Sequence, residues 1–290
     1  MEKRINLLNL GSRYLAKEGV VNPSRESEIF LSHILNCPRI ELYLDNLSVE
    51  ERKLQHFWRL LAERAKGLPL QYILGSTEFF GLEFKIGRGV FIPRPETEIL
   101  VETIIDILTN EQTNQRTNEQ TVLDLGTGCG NIAISFAKYF KDAHIFACDI
   151  SDFALQLAKD NSYLNQVGVS LVKSDLFGAF KKENYFSLIL SNPPYVSAPE
   201  LAGLPRELHY EPRLALEAGI DGLFYYRKII NQAPCYLQDN GLLALEIGDM
   251  QADSVKEIVR HSAGLLLVKV VKDYNGVERV IVARKRVNNG

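Results

Sequence analysis

Cysteine is scarce in this 290-residue chain, and the four present (Cys37, Cys129, Cys148, Cys235) form no C-x-x-C pair. Neither a disulfide framework nor a zinc knuckle is indicated, no metal site is expected, and a reducing cytoplasm suits such a chain best. Long apolar runs are missing as well: nowhere do about 18 apolar residues follow one another, which excludes a helical membrane span. The opening MEKRINLLNLGSRYLAKEG interleaves its leucines with charge and Gly11, so no export signal is expected. An excess of positive charge is absent too. Lys plus Arg is 33 against 36 for Asp plus Glu, a net charge of -3, so no broad basic field exists to hold nucleic acid nonspecifically. Residues 1–90 carry 13 basic and 11 acidic side chains and residues 91–290 carry 20 and 25, so neither part is built for phosphate contacts. Histidine is sparse, at five, and none falls in the glycine or proline motifs described below, which argues against an imidazole base.

What is present is ordinary globular material, with 46% hydrophobic and 24% charged residues and a length that suggests roughly two domains at about 150 residues each. Residues 1–67 read as a small helical domain. Asn22 and Pro23 look like an N-cap and first helical position, Ser48 with Glu51 looks like a capping box, and Gly67 before Pro69 looks like a helix stop. Residues 68–92 change to short apolar and aromatic runs broken by glycine (QYILG, EFFGLEFKIG, VFIP), the pattern of a β-hairpin linker. From residue 93 the segment PRPETE opens an amphipathic helix through Ile99, Val101, Ile104, Ile105 and Leu108, followed by a polar stretch at 110–120 that reads as an exposed loop.

Beyond Thr121 strand-like runs alternate with helical ones: Val122–Leu125, Ile145–Cys148, Ser170–Lys173, Phe186–Ser191 and Leu242–Ile247. Such alternation predicts a doubly wound α/β fold with a largely parallel sheet. The last two runs, Leu265–Val271 and Arg279–Ala283, are joined through Asn275-Gly276, a tight-turn dipeptide that predicts an antiparallel hairpin at the end.

Two motifs fall where such sheets bind ligands, at the carboxyl ends of strands. In Val122-Leu-Asp-Leu-Gly126-Thr-Gly128-Cys-Gly130 a glycine turn joins a strand to a helix start, where backbone N–H groups lie open. The spacing is G-x-G-x-G, unlike the dinucleotide G-x-G-x-x-G. Asp149 ends the next strand, 23 residues beyond Gly126, and with Asp124 and Asp175 near other strand ends it favours a nucleotide-like ligand over a bare turn. Asp175 also suits a helix N-cap, and Leu176 also suits the core. The second motif, Ser191-Asn192-Pro193-Pro194-Tyr195, follows the strand FSLIL. The Asn192 side-chain oxygen and the Pro193 carbonyl can accept the two N–H bonds of a planar –NH2 group, and Tyr195 offers it a flat face. Cys129 lies in the glycine turn as either a reactive thiol or a packed one.

The stretch from Val122 to Asp149 resembles the S-adenosyl-L-methionine site of class I methyltransferases, a Rossmann-like seven-stranded sheet ending in an antiparallel hairpin. The resemblance implies that Gly126, Thr127, Gly128, Cys129 and Gly130 line the cofactor, that Asp149 holds its ribose, and that Asp175 and Leu176 sit by the adenine. Nearly the whole chain resembles the HemK/PrmC family of release factor glutamine methyltransferases. Pro69-Leu-Gln71-Tyr72-Ile-Leu-Gly75, Glu78-Phe-Phe-Gly81, Phe91-Ile-Pro-Arg-Pro-Glu-Thr-Glu98, LDLGTGCG, SNPPYV and Tyr210-Glu-Pro-Arg-Leu-Ala-Leu216 occur in the family's order. PRPETE favours the release-factor branch over the ribosomal-protein one, whose usual counterpart is PRSPIGE. The resemblance implies methylation of the GGQ glutamine of class 1 release factors, with Asn192, Pro193, Pro194 and Tyr195 holding the glutamine and Asn192, Pro193 and Tyr195 carrying the chemistry. Asn192 also borders the cofactor, the helical domain grips the release factor, and a cytoplasmic monomer is expected. No membrane or direct nucleic-acid partner is expected.

Overall fold

The computed structural model describes residues 2–45, 47–112 and 120–287, and the chain divides into two compact units. The first comprises Met1–Ser76 with Pro205–Tyr210, and the second Thr77–Leu204 with Glu211–Gly290.

The first unit is helical: α1 (Arg4–Lys17), α2 (Pro23–Leu35), α3 (Glu41–Leu44), α4 (Glu51–Ala65) and α5 (Leu70–Leu74). Leu7, Leu8 and Leu15 from α1 meet Phe30 and Leu31 from α2 and Phe57 and Leu61 from α4 in one buried core, as helical spacing of apolar residues requires. Asn22 is the N-cap of α2 with Pro23 at N1, although Asn22 is left-handed and its side chain makes no cap bond. The expected capping box fails: Glu50 caps α4, and Ser48 instead forms a bridge with Lys3. Gln71–Leu74 is a helical turn and not a strand. The segment Pro205–Tyr210 serves this unit by closing the end of α4. Arg206 donates to the carbonyl of Ala65 and Tyr210 to that of Lys66, two of the carbonyls a helix end leaves without intrahelical partners. Buried Arg64 pairs with both Glu26 and Glu207 and donates to the Leu68 carbonyl.

The second unit begins with the short hairpin β1 (Ser76–Phe79) and β2 (Leu82–Lys85), narrower than the 68–92 hairpin the sequence suggested, because residues 86–94 form no strand. Then follow α6 (Pro95–Gln112), β3 (Thr121–Leu125), α7 (Asn131–Tyr139), β4 (His144–Asp149), α8 (Asp152–Leu164), β5 (Ser170–Lys173), β6 (Phe186–Ser191), α9 (Phe224–Gln232), β7 (Leu237–Glu246), α10 (Ala252–His261), β8 (Leu265–Lys272) and β9 (Glu278–Lys285). Of the expected loop at 110–120, residues 110–112 continue α6 and 113–119 lie outside the described residues.

Seven strands form one sheet in the order β5-β4-β3-β6-β7-β9-β8. The first five are mutually parallel, and β9 runs antiparallel to both β7 and β8. The hairpin turns at Asn275-Gly276, where the Asp273 carboxylate accepts N–H bonds from Asn275 and Val277. Alternation within each strand loads both faces. Leu123, Leu125, Ile189, Leu243, Leu245, Ile281 and Ala283 join Tyr226, Ile229 and Ile230 of α9 and Val255 and Val259 of α10 in one core. The intervening Val122, Leu188, Leu190, Leu242, Ala244, Val280 and Val282 are buried too, so these strands are covered on both sides and their ends are the sheet's open edges.

Candidate active site at the carboxyl edge of the sheet

Parallel register brings separate stretches of sequence to one edge. Leu125 pairs with Cys148 on one side and Ser191 on the other, and Ser191 pairs with Leu245. The next residues in each strand's path are therefore neighbours: Gly126 after β3, Asp149 closing β4, Asn192 after β6 and Glu246 closing β7. The two sequence motifs thus meet at one edge.

The glycine turn is held from β4, because Gly126 and Thr127 both donate backbone N–H bonds to the Cys148 carbonyl, each at 2.9 Å. Gly126 and Gly128 have positive φ, and the positions their side chains would occupy are open space, so the bare backbone is free to approach a ligand. Gly130 differs: a Cβ there would lie 2.8 Å from Ile134 Cδ1 and 3.1 Å from Ala158 Cβ, so this glycine allows α7 to pack on α8. Asn161 of α8 pins the turn from below, donating from Nδ2 to the carbonyls of Cys129 and Lys85 and accepting from the Lys85 N–H.

Three carboxylates take different places here. Asp149 Oδ2 accepts from the Gly128 N–H and Oδ1 from the Ser151 N–H, both at 2.9 Å, so one bond fixes the glycine turn and the other the start of α8. Asp124 is fully buried; its Oδ2 accepts from the Thr127 hydroxyl at 2.6 Å and the Ala133 N–H at 3.3 Å, while its Oδ1 has no partner. Burial pushes its pKa up to about 7 against the lowering effect of those two bonds, and the nearby Asp149 charge adds to the rise. Asp175 is largely exposed, with Lys228 Nζ at 4.0 Å, and accepts only a local turn bond at its backbone carbonyl from Gly178. Leu176 packs against the core with positive φ, its carbonyl accepting from Ser174 Oγ and Cys148 Sγ. Cys129 is buried and burial lifts its thiol to about 12, so it is a packed thiol and not a nucleophile.

At the other motif, Ser191 Oγ donates to the Leu125 carbonyl at 2.7 Å and ties β6 to the foot of the glycine turn. Asn192 donates from Nδ2 to Thr97 Oγ1 at 3.1 Å, which leaves its Oδ1 as the free end of the amide. Pro193 is buried, and Tyr195 is half-buried with its phenol raised to about 12, chiefly by burial and next by the Glu246 charge. The Tyr195 backbone is held on both sides: Gln251 Nε2 donates to its carbonyl at 2.9 Å, and Val196 exchanges backbone bonds with Leu216 and Ala218.

Four contributors were missed or left bland by the sequence reading. Thr97 sits inside PRPETE and touches Asn192, although the motif itself gave no hint of which of its polar residues turns inward. Glu211 is buried and accepts both the Ile92 N–H at 3.0 Å and a bond from Arg94, so the EPR segment fastens the loop that leads into α6; Arg94 also lies over the Phe91 ring. Gln251 stands at the start of α10 with no motif around it. Glu246, closing β7, is buried with Oε2 unpartnered, and burial lifts its pKa to about 7.

The family description "PrmC N-terminal domain" matches residues 6–75 and "Methyltransferase small domain" matches residues 96–204. A release factor glutamine methyltransferase of Fusobacterium nucleatum is 39% identical over 99% of this chain and 80% of its own length. One of Thermodesulfovibrio yellowstonii is 40% identical over 90% and 92%. Among solved structures, the hMettl16 catalytic domain in complex with a 3'UTR hairpin matches with a TM-score of 0.56 at 16% identity, over 79% of this chain and 83% of that one, a likeness of fold. Among the described residues no helix is long and apolar enough to cross a membrane.

Proposed function

Because the chain belongs to the release factor glutamine methyltransferase family, we propose that it methylates the side-chain amide nitrogen (N5) of the glutamine in the GGQ tripeptide of class 1 peptide chain release factors. The methyl donor in this reading is S-adenosyl-L-methionine and the by-product S-adenosyl-L-homocysteine. The observation that carries the reading is the Asn192 amide: its nitrogen end is engaged by Thr97, so an acceptor oxygen faces out of a rigid diproline turn beside the glycine turn.

The residues at that edge fit the donor. A ligand bearing ribose hydroxyls and an ammonium group needs acceptors, and Asp149 has lone pairs beyond its two backbone bonds while Asp124 has a buried oxygen with no partner. Gly126, Thr127, Gly128, Cys129 and Gly130 would lie along it, Asp149 would hold the ribose, and Asp175, Leu176 and Asn192 would border it. When bound, the sulfonium supplies an intrinsically activated methyl group.

The task left to the chain is alignment of a poor nucleophile, since the lone pair of an amide nitrogen is delocalised. Asn192 Oδ1 and the Pro193 carbonyl accept its two N–H bonds, and Tyr195 packs on its plane. Holding the nitrogen in line supplies up to about 7–11 kcal/mol of the barrier. As the nitrogen forms its bond to carbon, with the S–C electron pair staying on sulfur, it becomes cationic and releases one proton to water. The two acceptors meet that charge with no reorganisation. The helical unit grips the release factor, and the protein acts as a cytoplasmic monomer with no direct nucleic-acid contact.

The test is to mix the purified protein with labelled S-adenosyl-L-methionine and an unmethylated class 1 release factor and to map the label by peptide mass spectrometry. One methyl on the GGQ glutamine, lost in Asn192→Ala with cofactor affinity kept, is the expected result. Label on a ribosomal protein or nucleic acid instead would overturn the substrate assignment.

A further inference from the structure

Which way an asparagine amide faces is decided by what lies at its nitrogen end. Asn192 Nδ2 donates to Thr97 Oγ1, and Thr97, in the first turn of α6, is buried. A hydroxyl has a single proton, so Thr97, having accepted from Asn192, must direct its own proton to another acceptor. The acceptor beside it is the carboxyl of buried Glu246, whose ionised form the side chains of Thr97 and Asn192 both favour. Sheet register brings the two to one edge, because Ser191 pairs with Leu245 and each is followed by one member of the couple.

Glu246 is only 2% exposed, and its Oε2 has no partner at all. A buried carboxylate can only accept, so the donors around it are fixed in direction: the Thr97 O–H points to Glu246, and the Asn192 –NH2 points to Thr97 and Glu246. The flipped amide would set Oδ1 against a hydroxyl oxygen and a carboxylate with no proton to share, and would leave buried acceptors unsatisfied. The glutamine methyltransferase reading needs Oδ1 on the opposite side, facing the acceptor.

Resting on that reading, we propose that Glu246 and Thr97 are positioning residues that lock the Asn192 amide with its oxygen toward the substrate glutamine. Neither touches the reacting atoms. The lock requires the ionised form of Glu246, since a protonated carboxyl could donate to Thr97 and reverse the relay. Besides Thr97 and Asn192, the groups facing this carboxyl are Arg279 on β9, which favours ionisation, Glu96 on α6, which opposes it, and the phenols of Tyr195 and Tyr226.

Three variants of the full chain, Thr97→Val, Thr97→Ser and Glu246→Gln, are assayed against unmethylated release factor and for cofactor binding. Thr97→Val and Glu246→Gln are expected to lower kcat about 10- to 100-fold, the scale of a misplaced reacting group. KM for the release factor and Kd for the cofactor should stay within about threefold, and Thr97→Ser should recover most of the loss. The double variant should be no worse than the worse single one, because the two residues act as a unit. Wild-type kcat should fall on acidification through neutrality, and Glu246→Gln should abolish that limb. A readout independent of turnover is the side-chain –NH2 of Asn192 in 15N NMR, identified by its loss in Asn192→Ala: slow to exchange in the wild type, fast in Thr97→Val. If the wild type leaves the release factor unmethylated, the functional reading and this inference both fall. If the wild type methylates it but the variants turn over as fast, lose in KM as much as in kcat, or combine additively, the inference alone is overturned.

Discussion

Replacing Glu211 by alanine should cost more than any exposed ion pair is worth, because two different partners depend on it. Its side chain is 1% exposed, whereas Arg94 keeps 28%. The Ile92 N–H that Glu211 accepts is buried, and a buried donor left without a partner costs about 1–3 kcal/mol. Arg94 can turn partly to water, so its share, about 1.5–3 kcal/mol for a charge-assisted bond, is discounted to about 1 kcal/mol. The total is about 2–4 kcal/mol for Glu211→Ala. For a domain of about 200 residues, at about 2–4 °C per kcal/mol, the melting temperature should drop by roughly 5–15 °C. Glu211→Gln keeps an acceptor for Ile92 and loses only the charge, so it should lose about 1 kcal/mol. Urea unfolding followed by far-ultraviolet circular dichroism measures both. Because the fastened loop leads directly to Thr97, Glu211→Ala should also lower turnover in the release factor assay. A stability within about 0.5 kcal/mol of wild type for the alanine variant, below the least that an orphaned buried donor costs, would refute the reasoning. Equal damage from both variants would show that the charge and not the Ile92 bond is what matters.

Asp149→Ala should weaken S-adenosyl-L-methionine binding about a hundredfold to ten-thousandfold, the equivalent of two charge-assisted bonds at about 1.5–3 kcal/mol each; calorimetric titration giving less than about a fivefold change would remove Asp149 from the cofactor site. Glu246→Gln should change the pH dependence of stability with a definite sign. The folded-state pKa of Glu246 is raised from 4.5 to about 7, so its stabilising contribution is full below about 4.5 and is lost as pH rises through 7. At about 1.4 kcal/mol per pH unit, the variant should gain about 3 kcal/mol on wild type between pH 4.5 and 8; a stability difference that does not vary with pH would contradict this. Among the thiols, exposed Cys235 should react with a thiol reagent in the folded protein, whereas Cys129 and Cys148, both lifted to about 12 by burial, should react only on unfolding. Prompt labelling of Cys129 would show that the glycine turn opens.

The central strands were legible because each contains a short apolar run whose hydrophobicity is dictated from both faces, and all seven strands overlap the runs the sequence offered, β7 beginning five residues earlier at Leu237. The two site motifs were legible because their residues do backbone work: glycines that turn with positive φ, and prolines that fix a strand end. Other features were opaque for a common reason. Thr97, Glu211 and Gln251 act through hydrogen bonds to Asn192, Ile92 and Tyr195, residues 56 to 119 positions away in the chain. No local pattern encodes such a partner. The capping box at Ser48 failed for a similar reason: its two residue types are also what a bridge to Lys3 and an ordinary first helical turn require. The segment Pro205–Tyr210 shows the limit for domain assignment, since it lies far from α4 in sequence and yet supplies two donors to that helix's end.

Glu246 shows why a buried charge can be the informative residue at such an edge. The neighbouring strand ends spend their polar groups on fastening the turns around them: Asp149 accepts from the Gly128 and Ser151 N–H groups, Asp124 from the Thr127 hydroxyl and the Ala133 N–H, and Ser191 donates to the Leu125 carbonyl. Glu246 instead faces side chains, and one of its oxygens faces nothing. A carboxylate kept there lowers stability at neutral pH, and a glutamine of nearly the same shape would relieve that cost. What glutamine cannot do is define direction, because its amide both donates and accepts and is satisfied by either orientation of Asn192. A pure acceptor removes the ambiguity. On this argument the instability and the alignment of the amide are two consequences of one choice of residue, and Glu246→Gln should separate them, raising stability near pH 8 while lowering kcat.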